Sequence, residues 1–168
     1  MGLGILPIAA VLDELGASWP AWAWAVLCCL VWPHIAYRLS SRSSDPFRAE
    51  LRNLSIDSAL AGSLAPRVHF NLLPSAILLT VVSADKINTG VRGLWLRSLP
   101  SMAAGVLAMG ALTGFAMQPA TSMTVMLASL PIMIIHTLAV SLGSYQLIRK
   151  VQSQNVRLDE LSRVDSLT

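Results

Sequence analysis

Charge is what this sequence is short of. Only 12% of its 168 residues are Asp, Glu, Lys or Arg, against roughly 25% in ordinary soluble domains. Hydrophobic residues make up 54%, and mean hydropathy is +0.61. A soluble globular chain is thereby excluded, and an all-α integral membrane bundle is predicted. The net charge of +3 does not point to nucleic acid as a partner, because the basic residues fall in short loops between apolar runs. That is how cytoplasmic loops beside a bilayer are built. Cysteine is nearly absent. Cys28 and Cys29 are neighbours, about 100° apart on a helix, so a disulfide between them is implausible and two thiols alone make no metal site. Neither a phosphate loop, a Ser-His-Asp order, a Cys/His ligand set nor an acidic catalytic pair occurs. The chain is read as having no catalytic residue, metal or cofactor of its own.

The first dozen residues also lack something. Residues 1–12 carry no basic start, which excludes a secretory signal peptide. They are too few to cross a bilayer, which takes about 20 helical residues. Gly2 invites a myristoylation reading, but Leu6 stands where that motif needs Ser or Thr. A first membrane helix truncated at its N-terminus is the expectation.

What is present is a series of uncharged runs. Residues 19–37 form a full apolar span, with Trp19, Trp22 and Trp24 at one end and Trp32 and Tyr37 at the other, as in interfacial aromatic belts. Residues 38–52 read as a polar loop. Two shorter runs follow at 53–66 and 72–84, each reaching only about 20 Å as a helix, so a re-entrant hairpin is one reading of them. Residues 99–117 and 123–148 are long spans joined by Gln118-Pro119-Ala120. The result is about six transmembrane or partly re-entrant helices. Eleven of the twelve Lys and Arg fall in the second loop, the fourth loop or the tail, Arg67 being the exception. The positive-inside rule then puts the tail in the cytosol.

Residues 149–162 read as a short cytoplasmic linker helix. Ile148, Val151, Asn155 and Leu158 follow 3-4-3 spacing, a coiled-coil seam of about two heptads in which Asn155 favours a parallel dimer in fixed register. A simple amphipathic linker is the alternative. Asp57 lies about one turn inside its apolar run, with Arg52 and Asn53 near enough in sequence to partner it, and Asp85-Lys86 closes the next run. An intramembrane carboxylate needs a partner or a proton. A polar switch and a fixed interfacial salt-bridge cluster are both consistent with this pattern. His136, in mid-span, suits a helix–helix hydrogen bond. Nothing in the sequence pairs it with His34 or His69 as haem ligands would be paired. Gly110-x-x-x-Gly114 is a small-residue face that permits close helix approach.

Several short strings stand out: Trp32-Pro33-His34, Asp45-Pro46, Glu50, Asn53-Leu54, residues 57–62 (Asp-Ser-Ala-Leu-Ala-Gly), residues 71–75 (Asn-Leu-Leu-Pro-Ser), residues 129–132 and Ser144-Tyr145-Gln146. Together they resemble the membrane-associated sensor domain of the second type, a bacterial family found ahead of diguanylate and adenylate cyclase domains. The departure is at the front, where the family has a basic extension and a complete first helix. The tail, Asp165-Ser166-Leu167-Thr168, resembles the D-x-L-T opening of GGDEF cyclase domains. The resemblance implies a sensor domain over 1–148, a linker helix over 149–162 and the start of a GGDEF domain at 163–168. It implies a parent diguanylate cyclase using GTP and Mg, regulated from the bacterial inner membrane. Expected partners are the lipid bilayer and a second copy of the chain; the sensed ligand is not written in the sequence. Candidate sensor or structural residues are Pro33, His34, Asp45, Pro46, Glu50, Asn53, Asp57, Asn71, Pro74, Asp85 and His136. An adenylate cyclase parent, which the D-S-L-T string argues against, and a small histidine-based cofactor subunit are the alternatives.

Overall fold

The structure is a computed structural model that describes the backbone of residues 2–165 and the side chains of residues 2–155. The side chain of Leu158 and the tail string from Asp165 onward lie outside those described side chains. The chain divides into two compact units, Met1–Met133 and Ile134–Thr168. It is all-helical among the described residues: α1 (Ile5–Glu14), α2 (Trp19–Val26), α3 (Trp32–Ser41), α4 (Pro46–Arg67), α5 (Leu72–Asn88), α6 (Leu94–Thr113) and α7 (Met123–Asp165). A π turn over Leu27–Val31 joins α2 and α3 into a single helical stretch, Trp19–Ser41. Six separate helical stretches result.

Local chemistry explains the breaks. Helix α1 ends in a Schellman turn, with Ala17 N–H donating to Leu12 O at 2.9 Å and Gly16 N–H to Asp13 O at 3.0 Å. Gly16 takes the left-handed conformation (φ +54) that such a cap demands. The π turn has its cause in Pro33, which lacks an N–H for the carbonyl of Cys29 and crowds it. Widening the turn by one residue relieves that clash. Helix α4 starts at Pro46, and the Asp45 carboxylate accepts the Arg48 N–H at 3.1 Å. Pro at the first position and Asp at the cap are the favoured start of a helix.

Two expectations change here. The polar loop at 38–52 is almost all helix, only 42–45 lying outside α3 and α4. The two short runs become α4, of 22 residues, and α5, of 17. At 1.5 Å per residue they reach about 33 and 25 Å, so no re-entrant hairpin is needed: polar residues flanking each run continue the helix. Residues 149–162 extend α7 without a break.

In the first unit α1 contributes one face to the main core cluster. Ile8, Val11 and Leu12, at the i, i+3, i+4 spacing of one helix face, are at most 2% exposed. They meet Ala21, Ala25, Cys28, Cys29, Leu64, Val68 and Val125. The most extensive contact in the bundle is α4 against α6. It is built on Gly105, whose missing Cβ would run into the carbonyl of Ala59, and on Gly62, whose Cβ would run into that of Met102. Small residues let two backbones touch, and that contact holds helices together where lipid gives no hydrophobic drive. The Gly110–Gly114 pair does not serve this role. Gly110 lies under the ring of Phe115, and Gly114 caps α6 with φ +65 and open space around it. Leu107 (62% exposed) and Leu112 (78%) on α6 point outward, as side chains facing acyl chains do.

In the second unit Ile148, Val151 and Asn155 are exposed on one helical stripe. Arg149 donates to the Tyr145 hydroxyl at 3.1 Å and lies over its ring. The expected helix–helix hydrogen bond of His136 is not made: its Nε2 is buried without a partner among the described residues.

Because the Gly105 contact is backbone against backbone, Gly105→Ala should destabilise the bundle by about 1–3 kcal/mol, the usual cost of overpacking. Gly143→Ala, where a Cβ meets nothing within 4 Å, should be neutral or stabilising by up to ~1 kcal/mol. Thermal unfolding of the detergent-solubilised protein, followed by circular dichroism, distinguishes the two.

Candidate functional site

The ends of the first unit differ. At one end three connections are tied together. Asn71 Nδ2 donates to Ala120 O at 2.8 Å, and Thr121 Oγ1 donates to Asn71 Oδ1 at 2.8 Å. Gln118 N–H reaches His69 O at 2.7 Å, Leu72 N–H reaches Pro119 O at 3.1 Å, and Ser122 Oγ donates to the Glu14 carboxylate. His69 and Phe70 hold left-handed φ angles (+51 and +53) to make the turn. Asn71, offered by the sequence as a sensor candidate, is thus the centre of this latch, 4% exposed with both ends of its amide engaged. Pro74 is buried beside it at the start of α5.

Toward the other end, α4 presents a row of polar side chains to the helical stretch Trp19–Ser41. Trp24 Nε1 donates to Ser63 Oγ at 2.9 Å, Trp32 Nε1 to Asp57 Oδ1 at 2.8 Å, and Asn53 Nδ2 to Ala36 O at 2.9 Å and Ser40 Oγ at 3.0 Å. These bonds run antiparallel, like the two helices. Trp24 and Trp32 are eight residues apart, about 80° out of line on a regular α-helix. The extra residue in the π turn brings both indoles to the same face. Two tryptophans expected in interfacial belts therefore turn inward, whereas Trp19 is 78% exposed. Asp57 is partnered by Trp32, not by Arg52 or Asn53 as the sequence suggested: Arg52 lies off this face of α4, the Asn53 amide on the same face donates to Ala36 O and Ser40 Oγ instead, and an indole N–H arrives from the facing helix. The only ion pair among the described residues is Arg48 with Asp45, at 3.2 Å on the surface, so the expected salt-bridge cluster is a hydrogen-bonded one instead.

Next to this row opens a cleft of about 480 Å³ between α3, α4 and Asp85 of α5. Pro33, Tyr37 and Ser40 of α3 and Pro46, Glu50, Asn53 and Asp57 of α4 line it. Six candidates from the sequence meet here: Pro33, Pro46, Glu50, Asn53, Asp57 and Asp85. Asp45 stays outside as the cap of α4, and His34 is exposed on α3. His69 belongs to the latch, roughly 15 Å or more along α4 from the level of Asp57. Among the described residues no Lys or Arg lines the cleft. Lys86, expected in a loop, is on α5 and 1% exposed, its ammonium donating to Val82 O at 3.0 Å. Asn53 Oδ1 is buried without a partner among the described residues. The arrangement offers carboxylates, a hydroxyl and an apolar wall, which suit reversible binding; it contains no nucleophile–base pair, and among the described residues no three His, Cys, Asp or Glu side chains are placed to hold a metal. Trp32 and Lys86 were missed by sequence reasoning; the eight-residue spacing of Trp24 and Trp32 opposite a polar helix was the available signal.

Comparison with known proteins adds what geometry alone does not. A family model described as the MASE2 domain matches residues 1–80. Over 165 residues, 97% of the chain, it is 33% identical to the probable diguanylate cyclase DgcC of Escherichia coli strain K12, and equally to the protein of the same description in E. coli O6:H1 strain CFT073. The chain spans 44% of the length of each of these relatives. No solved structure matches it.

The Trp32–Asp57 bond makes a direct forecast. Trp32→Phe keeps the ring but leaves Asp57 without its donor, and should cost about 1–3 kcal/mol of stability. Trp19→Phe, at an exposed ring, should change stability by less than about 0.5 kcal/mol. Chemical or SDS unfolding in micelles measures both.

Proposed function

Since residues 1–80 form a MASE2 domain, we propose that this chain is the membrane-embedded sensory and dimerisation module of a diguanylate cyclase. The observation that carries the reading is the match to a probable diguanylate cyclase over 97% of the chain. Joining two GTP molecules requires two active sites face to face, so a module that sets the spacing of two copies controls the reaction. GTP and Mg would be handled outside this chain, which is expected to make no cyclic di-GMP by itself. In this reading α7 carries the signal. Ile148, Val151 and Asn155 form an exposed stripe suited to a second copy, and no Pro or Gly interrupts the helix after Gly143. The polar cleft is the sensing element: a ligand or proton that alters the Trp32–Asp57 or Asn53–Ala36 bonds shifts α3 against α4.

The orientation that fits is six membrane helices with the tail in the cytosol, at the bacterial inner membrane. The three latched connections share one end, and the eleven basic residues other than Arg67 fall toward the opposite end or in the tail, along with the loops at 42–45 and 89–93. Cysteines placed at Asp13 or Gln118 should react with impermeant maleimide from outside, and one at Ser43 should not; reversed labelling would overturn the orientation.

In the full-length cyclase, four residues inserted after Gln152 should rephase the stripe and change cyclic di-GMP output, whereas seven should largely preserve it. Indifference to both insertions in native membranes would reduce the linker to a tether and remove the geometric mechanism.

A further inference from the structure

On the opposite face of α3 from the cleft is a second recess, of about 370 Å³, and its chemistry is reversed. Ile35, Arg38, Leu39 and Arg42 line it from α3 and its end, Ser43 from the turn and Arg52 from α4. The 3-1-3 spacing of the four α3 positions puts them on one helical face. Arg52 is held at their level because its neighbour Asn53 hydrogen-bonds Ala36 O and Ser40 Oγ. Three guanidinium-bearing side chains therefore converge from two helices. Among the described residues no carboxylate lines the recess and none of the three makes an ion pair; the nearby Asp45 is engaged by Arg48. Like charges drawn together in this way repel one another unless an anion sits between them.

We propose that this recess binds the phosphodiester headgroup of an anionic phospholipid. Arginine's planar fork matches phosphate oxygens bidentately, and the Ser43 hydroxyl adds a donor. Ile35, 40% exposed, lies on the side of the arginines nearer the middle of the Trp19–Ser41 stretch, where the first acyl carbons would run, and Leu39, 45% exposed, sits between Arg38 and Arg42. A soluble phosphate has no use for that apolar wall. Basic pockets between membrane helices take anionic headgroups on this principle. Since Asn53 fixes the α3–α4 pairing from which both recesses are formed, headgroup occupancy and the cleft share one mechanical support.

The test is native mass spectrometry of the detergent-solubilised protein, titrated with phosphatidylglycerol, with phosphatidylcholine of identical acyl chains, and with inorganic phosphate. Phosphatidylglycerol should bind at least about tenfold more tightly than phosphatidylcholine, and R38Q/R42Q/R52Q should lose at least about tenfold of that affinity. R97Q, removing an exposed arginine of α6, should leave it unchanged. If circular dichroism shows that the triple variant has not folded, R52Q alone should lose about threefold or more. Equal binding of the two lipids, undiminished phosphatidylglycerol binding by the Gln variants, or binding of inorganic phosphate with no phosphatidylglycerol retained would each overturn the assignment.

Discussion

The first unit depends on one constraint: polar groups carried on a helix among apolar helices must find partners within the protein, because apolar surroundings offer none. Helix α4 carries Asn53, Asp57 and Ser63, and each is met by a donor or acceptor from the Trp19–Ser41 stretch. This fixes the pairing of the two helices in rotation and in register, since a one-residue slip would strand a carboxylate. Apolar contact cannot give such selectivity where Leu against Leu and Leu against lipid are nearly equivalent. The π turn follows from the same requirement, for without its extra residue only one of the two indoles would face α4.

On its other side α4 uses the opposite chemistry. Ala59 and Gly62 meet Met102 and Gly105 with backbone almost touching backbone. A side chain large enough to hold a helix at the usual 8–10 Å would push α6 away and open the core. Helix α4 is thus polar toward one neighbour and stripped of side chains toward another. This explains why its sequence is so much less apolar than that of a lone membrane span, and why its polar beginning reads as loop when taken by periodicity alone.

How much of this was legible beforehand differs by feature. The helical class and the membrane setting follow from composition and from the family resemblance. The partner of Asp57 does not, because a sequence shows neighbours along the chain, and Trp32 arrives from another helix through a π turn that only Pro33 hints at. The extent of α4 was obscured for the same reason: residues 46–52 are too polar to read as a span yet are good helix formers behind an Asp-Pro cap. Gly110 and Gly114 matched a packing pattern, but one sits under Phe115 and the other ends the helix, whereas Gly62 and Gly105, in no recognisable pair, make the contact. Lys86 reads as loop punctuation and is buried.

The latch around Asn71 gives the first unit unequal ends. Three connections are hydrogen-bonded to one another there, while among the described residues no hydrogen bond joins the turns at 42–45 and 89–93. A bundle fastened at one end behaves as a set of levers with a common fulcrum: a tilt too small to disturb the latch is magnified along each helix. Over the roughly 33 Å of α4, a tilt of about 5° displaces the free end by about 3 Å, the span of a hydrogen bond. The cleft and the arginine recess both lie near that free end, where the travel is greatest.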